Sequence, residues 1–188
     1  MTLGQSMLVI GALTLLGILV LNANSTILQT NNTMDTSEFG ITAVSLATSL
    51  VEEAMGKMFD EVVTDSTAGA ITDSSQLTPI GSLGPDGGES YRSATKDFDD
   101  FDDFNRLFLV YKSNVGNDTA STPGSSWETV VPGIRAKYFV KARVYYVSVG
   151  ALDDTANHRT FNKKIVVTVT STGSKDTLTF PAVMSYWN

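Results

Sequence analysis

The sequence predicts an α+β protein: a long hydrophobic N-terminal helix, interrupted within residues 22–34, whose second half packs on a C-terminal antiparallel β-sheet. Three observations predict it. No Asp, Glu, Lys or Arg occurs before Asp35, and Met7 to Leu21 is almost wholly apolar. From Ile41 to Val62 apolar side chains recur at spacings of three and four, the helical period. After Tyr138 three runs alternate apolar and polar with period two. The chain therefore divides into a hydrophobic assembly or membrane segment with a polar linker (1–34) and a globular domain (35–188). Within that domain a helix is expected over 36–63, a loop region over 64–105 and the sheet over 106–188.

The apolar run is broken only by Thr14 and the small residues Gly11, Ala12 and Gly17. As a helix, roughly 20 such residues cross about 30 Å of hydrocarbon. A secretory signal needs a basic front and a small-x-small cleavage site, and a plain anchor takes Lys or Arg at a flank. The stretch offers neither. The positive charge at its start is the α-amino group of Met1, which leads to the expectation that Met1 is the product of cleavage behind a basic leader. Next come Asn22-Ala23-Asn24-Ser25-Thr26 and Gln29-Thr30-Asn31-Asn32-Thr33. Their side chains compete for backbone hydrogen bonds, so a break in the helix is expected there.

The second helix begins with Thr36 or Ser37 as cap and Glu38 in its first turn. Ile41, Val44, Ala47, Val51, Met55, Met58 and Val62 form its apolar face, widened by Ala54, Phe59 and Val63. From Asp65 the chain turns to Ser, Thr and Gly, then Pro79, Pro85 and GSLGPDGGES. This is loop chemistry, and it lacks the Lys-Ser/Thr of a phosphate loop. In the run Tyr138 to Tyr146 the even positions face inward, while Lys141 and Arg143 face out. Ile165, Val167 and Val169 alternate in the next run, and Leu178, Phe180, Ala182 and Met184 in the last. Pro181 lacks an N–H, which assigns the last run to an edge or bulge. Arg106 to Lys112 adds a further strand.

One cluster has the composition of a ligand site. KDFDDFDDFN, Lys96 to Asn105, holds five carboxylates: Asp97, Asp99, Asp100, Asp102 and Asp103. Oxygen ligands at this density bind calcium, although the central Gly and terminal Glu of an EF-hand are missing. Phe98, Phe101, Phe104 and Leu107 recur every third residue. A helical turn or two would bury the rings and leave the aspartates in water, so the expectation is a solvated acidic face with no metal. Calcium held by the five aspartates is one alternative, and contact with a partner is the other.

A formal net charge of −7 argues against nucleic acid as the main partner. With no cysteine there is no disulfide framework and no thiolate metal site. His158, the single histidine, lies in a polar stretch, and no motif assembles a base and a nucleophile. The chain reads as a non-enzyme without a cofactor. Trp127 and Trp187 read as sheet or interface packing. Asn24, Asn31 and Asn117 each open an Asn-x-Ser/Thr triplet, a pattern common by chance.

MTLGQSMLVIGALTLLGILV resembles the mature N-terminus of type IV pilins and pseudopilins. Met1, Thr2, Leu3 and Gln5 occupy the places of that family's hydrophobic first residue, its Thr-Leu pair and its polar fifth residue. The family usually has glutamate at the fifth place, where it pairs with a neighbour's amine; Gln5 offers a neutral hydrogen bond instead. The layout of a long helix followed by a sheet is also similar, and the family often carries an Asp-Asp-Phe-Asn stretch like Asp102 to Asn105. The resemblance implies a structural subunit of an extracellular helical filament. It would polymerise through Met1, Leu3, Gln5, Leu8, Leu13, Leu16 and Val20 after a membrane-embedded stage. It also implies a leader peptidase, N-terminal methylation and an assembly ATPase as partners. Gln5 suggests an accessory or tip pilin as one alternative; a single-span membrane-anchored binding domain is another.

Overall fold

A computed structural model describes residues 3–64, 70–112, 127–134 and 136–187. The chain forms two compact units, 1–40 and 41–188. The first helix, α1, is continuous over Leu3–Met55 and runs through the boundary.

In the first unit the expected interruption at 22–34 does not occur. The hydroxyls of that stretch bond back into the helix, and so do Thr36 and Ser37, which lie inside α1 and do not cap a second helix. Thr26, Thr30, Thr33, Thr36 and Ser37 each donate to the carbonyl four residues earlier, at 2.8–3.0 Å. Each side chain thereby satisfies itself within the helix and leaves the N–H to C=O ladder intact. Thr14 does the same with the carbonyls of Ile10 and Gly11.

In the second unit α1 ends earlier than the expected Val63. Gly56, a poor helix former, follows Met55; its N–H bonds the carbonyls of Glu52 and Glu53. The chain then pairs Met58 with Asp100 as a parallel bridge. A single helical turn, α2 (Glu61–Thr64), follows.

The buried face of α1 is also not the expected one. Ala43, Ala47, Leu50 and Ala54 are buried to 2% exposure or less, whereas Ile41, Val44, Met55 and Met58 are 40–73% exposed. Of the expected residues, Ala47 and Ala54 on α1 and Phe59 beyond it are buried, and Val62 and Val63 pack against the core around Phe59. Two apolar stripes run side by side along this helix, and periodicity alone does not choose between them. The small-residue stripe is the one buried, because alanine lets a helix approach its neighbour closely. A groove lined by Ile41, Thr42, Ser45, Leu46, Tyr111, Val131 and Ile134 sets this part of α1 beside the first strand.

The sheet has six strands: β1 (Phe108–Lys112), β2 (Trp127–Val130), β3 (Tyr138–Ser148), β4 (Ala151–Thr155), β5 (Asn162–Ser171) and β6 (Thr177–Ser185). The order is β2-β1-β3-β5-β6, with β4 paired to β3. β1 and β2 are parallel and every other pairing is antiparallel, so the sheet is mixed, not purely antiparallel. The alternation predicted for β3 and β5 holds: Tyr138, Val140, Ala142, Val144 and Tyr146 are buried with Ile165, Val167 and Val169, and Lys141 and Arg143 are exposed. β6 lies at the sheet's edge, as Pro181 requires. The region expected to be loop contains three 3-10 turns and the acidic run.

Candidate functional site

Two surfaces have chemistry that a folded domain does not need, one in each unit. The first is α1 between Leu3 and Leu21. Leu3, Leu8, Leu13, Leu16 and Val20 are all at least 57% exposed. Met7, Leu8, Val9 and Ile10 are consecutive and all exposed, so the helix is apolar on every side. Its most apolar 18-residue window has a mean hydropathy of 2.2 with none of it buried. A helix apolar all round belongs inside a large core or a membrane. By length and composition this one is able to cross a membrane. Gln5 sits on the same exposed helix; Met1 and Asn117 lie outside the described residues. Trp187 is exposed within the chain and so is not packed on the sheet, while the side chain of Trp127 lies outside the described set.

The second surface is the acidic run. Phe98, Phe101 and Phe104 are buried as expected, with Phe98 and Phe104 edge to face at 5.3 Å. The aspartates, however, do not form one solvated face. Asp100, Asp102 and Asp103 are buried, and only Asp97 and Asp99 are exposed. The reason is that the run is a tight 3-10 turn over Asp102–Phe104, not a helix. Its aspartates cap the turn's own backbone: Asp100 Oδ1 accepts from the N–H of Asp102 (2.7 Å) and Asp103 (3.0 Å). Asp103 Oδ2 accepts from the N–H of Asp99 (3.0 Å) and Asp100 (3.1 Å). Asn105, next in the chain, donates to the carbonyl of Leu83 and accepts from the N–H of Val144, tying the turn to the loop before it and to β3.

The five aspartates go to three destinations. Asp97 stays at the surface, accepting from the N–H of Arg92 at 2.6 Å, with Lys57 Nζ 3.9 Å away. Asp102 turns inward to Lys163, which donates to it, to Asp60 Oδ2 at 2.7 Å and to the carbonyl of Phe59 at 2.8 Å. All three ammonium protons are therefore engaged. Asp60, Asp102 and Lys163 are completely buried. Thr78 donates to Asp60 from its hydroxyl and N–H, and Tyr146 donates its hydroxyl to the carbonyl of Thr78 at 2.8 Å. The ammonium also lies over the rings of Phe59 and Tyr146, at 4.7 and 5.4 Å. Burial raises Asp102 to about 6 in spite of the opposing Lys163 charge.

The remaining aspartates, Asp99, Asp100 and Asp103, meet acids from elsewhere. Carboxylate oxygens of Glu61, Glu89 and Asp99 lie within 4.8 Å of one another, and so do those of Glu61, Asp86 and Asp100. Like charges at that distance, partly desolvated, favour protonation. Asp100 is pushed up to about 9 by burial, then by Asp102 and Asp103. Glu89 is pushed up to about 7 by burial, then by Asp103. Burial is also the main cause of the raised Glu61 and Asp103.

Sequence reasoning missed Glu61, Asp86, Glu89, Asp60 and Lys163. One signal for Lys163 was present: it shares the parity of Ile165, Val167 and Val169, and a lysine at an inward position requires a carboxylate partner. Nothing local marks Asp86 or Glu89, which sit in a stretch that reads as plain loop. His158 is exposed beside Asn157, consistent with a surface residue. Comparison with protein-family models, with curated proteins and with solved structures finds no match to this chain.

Proposed function

We propose that the chain is the structural subunit of an extracellular helical filament of the type IV pilus kind, polymerising through its N-terminal helix after a stage in the membrane. The observation that carries this reading is the helix from Leu3 to Leu21, charge-free, apolar on every side and wholly unburied within the chain. Such a surface needs either lipid or many copies of itself. Removing apolar area from water yields about 25 cal/mol per Å², enough to hold a polymer without metal or disulfide. Identical subunits joined head to tail, without closing into a ring, make an open helix. The exposed stripe Ile41, Val44, Met55 and Met58 is a further apolar surface in the second unit suited to neighbouring copies. The resemblance of residues 1–20 to mature pilins points the same way.

Gln5 suggests an accessory or tip subunit of such a filament as the alternative. The rival from another class is a single-span anchored domain, for which the same helix is long enough. Shearing surface material from cells that express the chain, imaging it by negative stain and identifying its main band by mass spectrometry separates the three. Filaments built mainly of this chain indicate a major subunit, and filaments carrying it as a trace indicate an accessory one. Recovery only as detergent-soluble monomer with no filament indicates the anchored domain.

A further inference from the structure

We propose that Glu61, Asp86, Glu89, Asp99 and Asp100 bind one calcium ion. The two groups of carboxylates share Glu61, and within each the ligand oxygens lie no more than 4.8 Å apart. Calcium takes oxygens at 2.3–2.6 Å, so two ligands on opposite sides of one ion are about 5 Å apart. The spacing within each group therefore fits an ion, Glu61 joins the two groups, and the five residues come from three separate segments. Glu61 opens α2. Asp86 and Glu89 flank a turn in which the N–H of Glu89 bonds the carbonyl of Asp86 at 2.7 Å. Gly87 and Gly88 have φ of 42° and 91°, which glycine adopts without strain, and this brings the two acids round to one side. Asp99 and Asp100 precede the self-capped turn.

A second observation points to a ligand independently of the clustering. Asp100 is 1% exposed. Its Oδ1 is occupied by two backbone N–H groups, but its Oδ2 is buried and has no hydrogen-bond partner among the described residues. A buried carboxylate oxygen left unmatched is rare and indicates an ion or a proton. Among the described residues, no Lys or Arg forms an ion pair with Glu61, Asp86, Glu89, Asp99 or Asp100. Lys163 is committed to Asp60 and Asp102; Asp102 Oδ2 is likewise buried without a partner among the described residues, but Asp102 belongs to neither carboxylate group.

The donor set selects the ion. All donors are carboxylate oxygens, without His or Cys, which excludes a preference for zinc or copper. Magnesium keeps most of its water and takes one or two carboxylates, whereas calcium accepts six to eight oxygens in flexible geometry. Calcium would neutralise the cluster and pin the loop at 86–89 to α2 and to the acidic turn. The site stands whether or not the chain polymerises.

The test uses the full chain in detergent micelles, stripped with EDTA, with CaCl2 added during isothermal calorimetry and thermal unfolding and MgCl2 in parallel. The expected result is one calcium per chain, a rise in melting temperature and binding at least tenfold tighter than magnesium. Glu61→Gln, which removes the residue common to both groups, should weaken calcium binding at least tenfold. Asp97→Asn, outside the site, should leave it unchanged. If Glu61→Gln fails to fold, Asp99→Asn at an exposed position should still weaken binding several-fold. No heat and no melting shift in the unmodified chain up to about 10 mM calcium, beyond the range of weak extracellular sites, would overturn the proposal. So would unaltered binding in Asp99→Asn. In the first case a proton on Asp100 is the occupant, and Asp100→Asn should then be tolerated; in the second the bound calcium sits elsewhere on the chain.

Discussion

Lys163 shows how a single residue organises the second unit. It holds two buried aspartates that no other cation among the described residues reaches. Removing one partner of a buried ion pair costs about 3–5 kcal/mol, because the other charges are left in low dielectric. Lys163→Met should destabilise the domain by that amount in a denaturant titration. Adding Asp60→Asn and Asp102→Asn to the same chain should recover part of the loss, since the stranded charges are then gone. A second prediction concerns pH. With EDTA present, Glu89 and Asp100 titrate near 7 and 9, above the ordinary carboxylate range. A carboxyl whose folded-state pKa is raised contributes stability fully present below its unfolded pKa of about 4 and lost as pH rises through the folded value. Asp102 and Asp103 are raised too; Lys163 is the cation opposing Asp100 and Asp102. Without metal the chain should therefore melt higher at pH 5 than at pH 8, by a few degrees (about 2–4 °C per kcal/mol at this length). A lower melting point at pH 5 would contradict the stated cause of the shifts.

At the scale of elements, the helix face is the sharpest test. Ala47 is fully buried and Val44 is 44% exposed. Overfilling a packed site costs about 1–3 kcal/mol, whereas exposed substitutions stay within about 0.5 kcal/mol. Ala47→Leu should lower stability measurably and Val44→Ser should not; a comparable loss from Val44→Ser would restore the face expected from periodicity, which held both residues. The continuity of α1 is testable in the same way. Thr30→Pro removes a backbone donor and clashes with the preceding turn, costing about 3 kcal/mol in a helix interior. It should reduce the helical circular dichroism of the chain in micelles, and no reduction would mean that residues 22–34 are not helical there.

These elements also show what was legible in the sequence. β3 and β5 were readable because their inward and outward residues alternate strictly, a signal that burial itself imposes. The edge position of β6 was readable from Pro181. β2 and β4 are only four and five residues long, and β4 carries Asp153 and Asp154 on exposed positions, so neither shows the alternation of a half-buried strand. The polar stretch of α1 misled because propensity counts Ser, Thr and Asn against a helix, yet the same hydroxyls bond back to it. The acidic run was read by composition, which registers five carboxylates but not that Lys163, 61 residues after Asp102, takes one of them. Glu61, Asp86 and Glu89 converge only through the tertiary fold, which leaves no local trace.

For the whole molecule, the central claim is that the helix from Leu3 to Leu21 ends up among copies of itself. A charge at the centre of a membrane helix costs roughly 2.5–3.5 kcal/mol on insertion scales, and in a polymer core every subunit would repeat the fault. A carboxylate at position 5 gives a finer reading. Gln5→Glu should be tolerated or improve assembly if a neighbour's amine faces it, and should lower filament yield if it is buried unpaired. The most direct measurement is the yield of sheared filaments from cells expressing Leu13→Arg, compared with the unmodified chain at equal expression. The account predicts that filaments disappear while the protein is still made. Normal filaments from Leu13→Arg would take the N-terminal helix out of the polymer core and leave the anchored domain as the reading that survives.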